Sequence, residues 1–473
     1  MLKRVLLILS IVIFAGCSIG PNYQRPDIDA PQSWRISEKE VNTLVNTLWW
    51  EQFNDPILNS LIETALRNNR DIKIASARIE EFIGKYSIVR SALFPQIGTS
   101  GTYGRQKISE LTGISPIEKT ALDPMLNSSQ LLLTSSWEID LWGRLRRSTE
   151  SARAILLSKE EAKRAIISTL VTSVASAYID LRDLDKQLQI AIQTASVREK
   201  SYNLFKIRFE GGLISELELN QVKSEYEQAL ATIPQFEKNI VQAENYLSIL
   251  LGQNPDTIKR GKSIDQLVLP SVPSGVPSDI LMNRPDILQA EQELISANAN
   301  IGVARSLYFP NISLTGVFGF ASNDLSDLFK GPARTWSWSV PVTMPIFTAG
   351  SIEGQIKSAE AQQGQALLHY QQVIQSAFRE VEDALIDYKK TRQKIEAQSR
   401  QVESLKNYAR IARIRYDNGY TSYIEVLDAE RSLFSAELLY TKTQRDLFLS
   451  LINIYKSMGG GWILKAEEMT KGK

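Results

Sequence analysis

The feature that most constrains this chain is a turn that occurs twice. The stretch Arg415-Tyr416-Asp417-Asn418-Gly419-Tyr420-Thr421-Ser422-Tyr423-Ile424-Glu425-Val426-Leu427-Asp428 lies between two very long helical patterns. Arg208, Phe209, Gly212, Ser215 and Glu218 match Arg415, Tyr416, Gly419, Ser422 and Glu425, each at a shift of 207. Gly212 and Gly419 can end a helix, because glycine takes the left-handed conformation without a side-chain clash. Ser215 with Glu218, and Ser422 with Glu425, read as S-x-x-E capping boxes that start the next helix. A chain that makes one long helical hairpin twice folds as two structural repeats.

The arms of those hairpins are unusually long. From Gly143 to Phe209 there are 67 residues without proline, roughly 100 Å of helix at about 1.5 Å per residue. In the second half, Ile352, Ile356, Ala359, Ala366, Tyr370, Val373, Ala377, Val381, Ala384 and Tyr388 step by threes and fours along a heptad-like seam. Helices of this length pack along others as coiled coils. The return arms run from Ser215 towards Leu251, with Pro234 as a candidate kink, and from Ser422 to about Met458, where Gly459-Gly460-Gly461-Trp462 ends the pattern.

Upstream of each hairpin the period changes. Asp55 and Pro56 read as N-cap and first residue of a helix running to about Ala92. Phe94-Pro95 ends it, and strand character follows from Gln96 to Gly104. Between Leu133 and Leu141, Leu133, Trp137, Ile139 and Leu141 face one way and Thr134, Ser136, Glu138 and Asp140 the other. The second half repeats this. A helix opened by Asn283-Arg284-Pro285-Asp286 ends at Phe309-Pro310, a shift of 215. Ile312, Leu314, Phe318 and Phe320 then share a face, as do Trp336, Trp338, Val340, Val342, Met344 and Ile346. Pro341 and Pro345 mark the exit from that sheet. Such alternation fits a barrel strand between lipid and water, and equally a half-buried strand of a soluble sheet. Each half is thus helix, two strands, long helix, tip turn, helix. Four strands cannot close a barrel, so copies must join to remove the sheet edges.

Lys3 and Arg4, an apolar run from Val5 to Ala15, and Ala15-Gly16 before Cys17 make a signal peptide. The run is too short to span a bilayer. Phe14-Ala15-Gly16-Cys17 resembles a bacterial lipobox, which implies cleavage before Cys17 and lipidation of that residue. Removal of residues 1–16 takes the net charge from +1 to −1. Residues 17–54, with Pro21, Pro26 and Pro31, read as a tether. Residues 55–252 form the first repeat, 253–277 a Gly- and Pro-containing linker, 278–458 the second repeat, and 459–473 a C-terminal tail.

With 54 basic and 53 acidic residues there is no electrostatic case for nucleic acid. One cysteine excludes a disulfide framework and a cysteine zinc site. His369, the single histidine, lies in a long helical run and reads as an ordinary helix residue. No nucleophile-base pair, phosphate loop, metal cluster or cofactor site is legible, which argues against an enzyme.

Five strings carry a family resemblance across essentially the whole mature chain: Arg284-Pro285-Asp286-Ile287, Ala297-Asn298-Ala299-Asn300-Ile301-Gly302, Phe309-Pro310-Asn311-Ile312-Ser313-Leu314-Thr315, Val426-Leu427-Asp428-Ala429-Glu430-Arg431-Ser432-Leu433-Phe434, and Gly459-Gly460-Gly461-Trp462. The chain resembles the TolC-like outer membrane factors, in their RND-type efflux lipoprotein branch. That resemblance implies an α+β membrane protein: a homotrimer whose protomers give four strands each to one outer-membrane β-barrel, continuous with a periplasmic α-helical barrel. It implies the exit duct of a tripartite efflux pump, with a periplasmic adaptor (membrane fusion protein), an inner-membrane RND-type transporter and outer-membrane lipid as partners. It places a periplasmic gate at Asp428, Glu425, Glu218 and Tyr416, with Glu218 partnered by Tyr416. Adaptor docking falls on the tip turns, at Gly212, Ser215, Gly419 and Ser422. Thr421 stands where TolC has an arginine. Capping alone would also account for Glu218 and Glu425, whereas Asp428 has no capping role. The alternative is a periplasmic lipoprotein scaffold of coiled coils without a pore.

Overall fold

The structure is a computed structural model that describes residues 18–28, 31, 33–35, 48–107, 109, 125–270, 272 and 277–470. Cys17 and the signal peptide lie outside the described residues. After a 3-10 turn at Trp49–Phe53 come helices α1 (Pro56–Asn68) and α2 (Arg70–Ser91). Strands β1 (Gln96–Lys107) and β2 (Met125–Glu138) lead into α3 (Arg144–Glu210) and α4 (Glu216–Leu250). The second half holds α5 (Pro277–Asn283), α6 (Pro285–Ser306), β3 (Asn311–Ser322), β4 (Arg334–Ser339), a two-residue β5 (Val342–Thr343), α7 (Ser351–Asp417), α8 (Tyr423–Met458) and α9 (Trp462–Thr470). Both α3 and α7 are 67 residues long.

Two departures from the sequence reading are informative. The helix expected to run to Ala92 is broken at Asn69, whose Oδ1 accepts from Asp71 N at 2.8 Å and Ile72 N at 3.3 Å, while its Nδ2 donates to the Leu250 carbonyl. Asn69 thus caps a second helix by local side-chain competition with the backbone. Past Pro341, the chain returns to the sheet for two residues, Val342 and Thr343, which pair with Ile312 and Asn311.

The chain divides into two units. The first comprises the N-terminal residues up to Pro26, Ile79–Ser158 and Ala290–His369. Its strands are antiparallel in the order β1-β2-β3-β4, with β5 paired to β3. Register puts Leu131 opposite Phe320, Leu133 opposite Phe318, Trp137 opposite Leu314 and Phe318 opposite Trp336. Since side chains alternate across a sheet, these residues share one face with Ile97, Tyr103 and Trp338. The other face carries Ser100, Thr102, Thr134, Ser136, Thr315 and Ser337. Trp336 and Trp338 are 67% and 68% exposed, so among the described residues these two indoles are largely uncovered, while Phe329 packs edge-on against Phe320. At the sheet base two indoles tie the helix-to-strand corners: Trp137 Nε1 donates to the Leu93 carbonyl at 3.0 Å and Trp142 Nε1 to the Pro310 carbonyl at 2.8 Å.

The second unit comprises Asp27–Arg78, Lys159–Gln289 and Tyr370–Lys473. An aromatic cluster centres on Trp49, which stacks on Tyr455 and meets Trp50, Phe53 and Trp462 edge-on. Trp49, Trp50, Phe53 and Trp462 are buried, so this core takes in residues on both sides of the first repeat's start and the glycine run. The inter-repeat segment is held to the body: Lys262 N and Tyr178 Oη donate to the buried Asp55 carboxylate, and Val268 N to the Phe53 carbonyl. Alanines of the α7 seam account for close packing; Ala377 and Val381 are fully buried.

Candidate functional site: the turns that join the helical hairpins

Each hairpin of the second unit turns on a left-handed glycine, Gly212 at φ +69° and Gly419 at φ +77°. Gly212 N donates to the Phe209 carbonyl and Leu213 N to that of Arg208; Gly419 N donates to Tyr416 and Tyr420 N to Arg415. Both turns are therefore Schellman closures, in which the amides past the helix satisfy its last carbonyls.

The restarts differ. Ser215 caps α4 with the expected box: Ser215 N donates to Glu218 Oε2 at 2.9 Å, and Glu218 N to Ser215 Oγ at 3.3 Å. Ser422 is the N-cap of α8 but makes no side-chain cap bond. Glu425 instead accepts from the Thr421 hydroxyl, with Arg415 Nη1 3.7 Å away. Glu218 is thus spent on its own cap, and Tyr416 takes a different partner: Arg208 Nη1 donates to its hydroxyl at 2.7 Å. The Glu218–Tyr416 pairing implied by the resemblance is not formed. An acid locked in a capping box cannot also reach across to a neighbouring hairpin.

Beneath the turns Phe205, Val222, Ala412, Tyr423, Val426, Leu427 and Ala429 form a buried cluster. Tyr423 lies 4.2 Å from Phe205 and 4.9 Å from Tyr416 between ring centroids. Arg413 donates to Tyr423 Oη at 3.3 Å and to Ser201 Oγ at 3.1 Å. Deeper in, buried Arg198 meets buried Glu225 at 3.1 Å, and Arg431 closes on the same carboxylate. Burial pushes the Glu430 carboxyl up, against the pull of Arg413 and Arg198. Burial also lowers the Arg198 guanidinium from its usual range, against the pull of Glu225 and Glu430. The two hairpins are therefore joined by aromatic stacking and a charge network with both signs present.

Asp428 is set apart from this network. It is exposed, and Tyr408 Oη donates to it at 3.4 Å. It lines a cavity of about 520 Å³ between α4 and α8 together with Leu217, Gln221, Ile424 and Arg431. The sequence reading missed two further features. Arg208 was legible only as a repeat match to Arg415. Leu213 and Tyr420, each 77% exposed, are equivalent at the 207 shift, as are Leu217 and Ile424 at 68% and 60%. Apolar residues at equivalent, unpacked positions of both repeats were the available signal.

A sheet bearing an aromatic face, continuous in sequence with a duplicated long-helix hairpin, defines a channel-forming outer-membrane protein. The model of the family described as outer membrane efflux protein matches residues 61–253 and 276–460. The chain belongs to that family, whose members transport rather than catalyse. It is 35% identical over 470 residues to the probable efflux pump outer membrane protein TtgC of Pseudomonas putida, covering 98% of this chain and 96% of that protein. It is 34% identical to the probable outer membrane lipoprotein SilC of Salmonella typhimurium, covering 97% and 99%. Among solved structures, the outer-membrane channel OprN superposes with a TM-score of 0.86 at 30% identity, covering 94% of this chain and all of that one. CusC superposes with 0.85 at 34% identity, covering 94% and 100%. The protein is an outer-membrane efflux channel, and the pore-less scaffold falls.

Proposed function

We propose that three copies of this chain close one barrel and form the exit duct of a tripartite pump, shut at the helical tip by rings of Asp428 and Glu425. The observation that carries the gate is the contrast at the tip: Glu218 and Glu225 are held by neighbouring side chains, while Asp428 is exposed with a long contact from Tyr408; Glu425, which accepts from Thr421, joins the ring on the family resemblance alone. Three copies of two carboxylates around a narrow opening would attract cations and repel anions. The strand order leaves β1 and β4 as edges, which supports closure by further copies of the chain; three copies is the number the family resemblance implies. The adaptor would take the exposed apolar pairs Leu213/Tyr420 and Leu217/Ile424 beside Gly212, Ser215, Gly419 and Ser422, and an inner-membrane transporter would complete the pump. Relatives are named for toluene, solvent and antibiotic efflux, so small organic compounds are the proposed cargo.

The test is single-channel conductance of the purified protein in planar bilayers. Asp428→Ala, and Glu425→Ala with Asp428→Ala, should raise conductance and reduce cation preference. Channels that ignore both variants would move the gate elsewhere. A folded, inserted protein without channels would sink the duct.

A further inference from the structure

The apolar face of the sheet changes character at one end, and the duct reading makes no use of the change. Strand register sorts the side chains of that face into rows. Towards the helices the rows hold Trp137 with Leu314, then Leu133 with Phe318 and Trp336. At the end away from the helices Arg334 stands opposite Phe320, Arg105 opposite Asn127 and Lys107 opposite Met125. Among the described strand residues this face carries three cations and no acid, and all three cations lie at its far end.

Arg105, Lys107 and Arg334 are exposed, and none has an ion pair among the described residues. Arg105 and Lys107 are two residues apart on one strand, so they leave the same face about 7 Å from each other. Arg334 is held against the sheet, its guanidinium 5.1 Å from the centre of the Phe318 ring. The segment between β3 and β4 lies over the same face, because Phe329 meets Phe320 edge-on at 5.6 Å. Phe329 and Leu325 in that segment stay exposed. Lys330 there is already paired with Asp327, which leaves exposed Asp324 as the acid to set against the three cations. The far end of the face is thus basic and apolar together.

The helices of an outer-membrane efflux channel extend into the periplasm, so this end of the sheet meets the outer leaflet. A cation that faces lipid needs an anionic headgroup or water beside it, since an unpaired charge in hydrocarbon is costly. We propose that Arg105, Lys107 and Arg334 bind the phosphates of lipid A, the phosphorylated and acylated glucosamine lipid of the outer leaflet. Each guanidinium offers paired donors to phosphate oxygens, and the ammonium adds a point charge. The acyl chains then lie along the aromatic rows. Since β1 and β4 are edge strands, closure by further copies brings Arg334 of one copy to the seam that holds Arg105 and Lys107 of the next. That last step rests on the proposed barrel; the phosphate contacts at each edge do not.

The test is native mass spectrometry of the full-length, detergent-solubilised protein with bis-phosphorylated lipid A added. Replacing Arg105→Gln, Lys107→Gln and Arg334→Gln together should weaken binding on the order of 100-fold, since each basic residue at an anionic lipid surface contributes several-fold. Arg334→Lys alone, which keeps the charge, should retain most of it. A control with Arg90→Gln, Arg392→Gln and Lys394→Gln, which removes exposed cations from helices, should bind as the wild type does. Lipid A stripped of its phosphates should bind the wild type no better than intact lipid A binds the triple variant. Equal binding by wild type and triple variant, or of the two lipids, would overturn the proposal. Displacement of the lipid by inorganic phosphate would overturn lipid A as the occupant and assign the rim to free phosphate. The same spectra give the number of copies, so rim-dependent binding to a protein that is not a trimer would refute the barrel and keep the site.

Discussion

Tyr416 and Asp183 show how single groups set the behaviour of the helical hairpins. The Tyr416 hydroxyl accepts from a charged donor, Arg208, while its ring packs on Tyr423. Tyr416→Phe keeps the ring and removes the bond, which should weaken the tie between hairpins by about 1.5–3 kcal/mol, as for hydrogen bonds to charged groups. The expected result in bilayers is more frequent opening at unchanged ion preference; identical opening would reduce the bond to a packing detail. Asp183 on α3 is buried, with Gln187 Nε2 donating to Oδ2 at 2.7 Å and Arg445 Nη1 3.9 Å away. Oδ1 is buried without a hydrogen-bond partner among the described residues. Burial, only partly offset by Arg445 and Gln187, pushes its carboxyl up to about 6. An unfolded aspartate titrates near ~3.9. Between these values the native state holds more protons, so this group's contribution is full below the lower value and is lost as pH rises through the upper one. The loss is on the order of 2–3 kcal/mol. Asp183→Asn should therefore flatten the fall in thermal midpoint between about pH 4 and pH 6.5. An unchanged slope would mean that Arg445 compensates the buried charge fully.

The helices test how far a repeated sequence makes a repeated structure. Ser215 and Ser422 occupy the same repeat position, yet only Ser215 bonds its cap. Ser215→Ala should cost about 1 kcal/mol of local stability and Ser422→Ala a few tenths, since a cap without a bond has little to lose. Hydrogen exchange in the first turns of α4 and α8 would read the difference; equal effects would mean that both boxes form in solution. The long helices were legible because proline-free length and a seam period are local signals: the expected Gly143–Phe209 is α3 to within one residue at each end. The exchange at Glu425 was not, because Thr421 competes through a hydroxyl that no capping pattern contains. Nor was the break at Asn69, which depends on the distant Leu250 carbonyl as well as on local amides.

At the scale of the whole molecule, the sequence pattern supplied the strand faces but not their order. The central pair, β2 with β3, joins the two halves of the chain across more than a hundred residues, and no local period encodes a partner that remote. That order has a consequence for assembly. Two strands lie between β1 and β4, so at about 4.8 Å per step their Cα atoms are roughly 14 Å apart within one copy. A disulfide needs Cα atoms within about 7 Å. Cysteines placed at Ser100 on β1 and at Ser337 on β4 face the same side and cannot bond inside one protomer. In a closed barrel β4 of one copy runs beside β1 of the next. A scan that keeps Ser337→Cys and steps the partner through Gly98, Ser100 and Thr102, in a Cys17→Ser background with a cleavable non-lipid signal, should contain a pair that oxidises between copies. That pair should run as a covalent trimer on a non-reducing gel and revert with thiol, because each copy supplies both ends and three bonds close the ring. Oxidised dimers that never extend to trimers would instead describe a two-copy contact and refute the three-fold barrel.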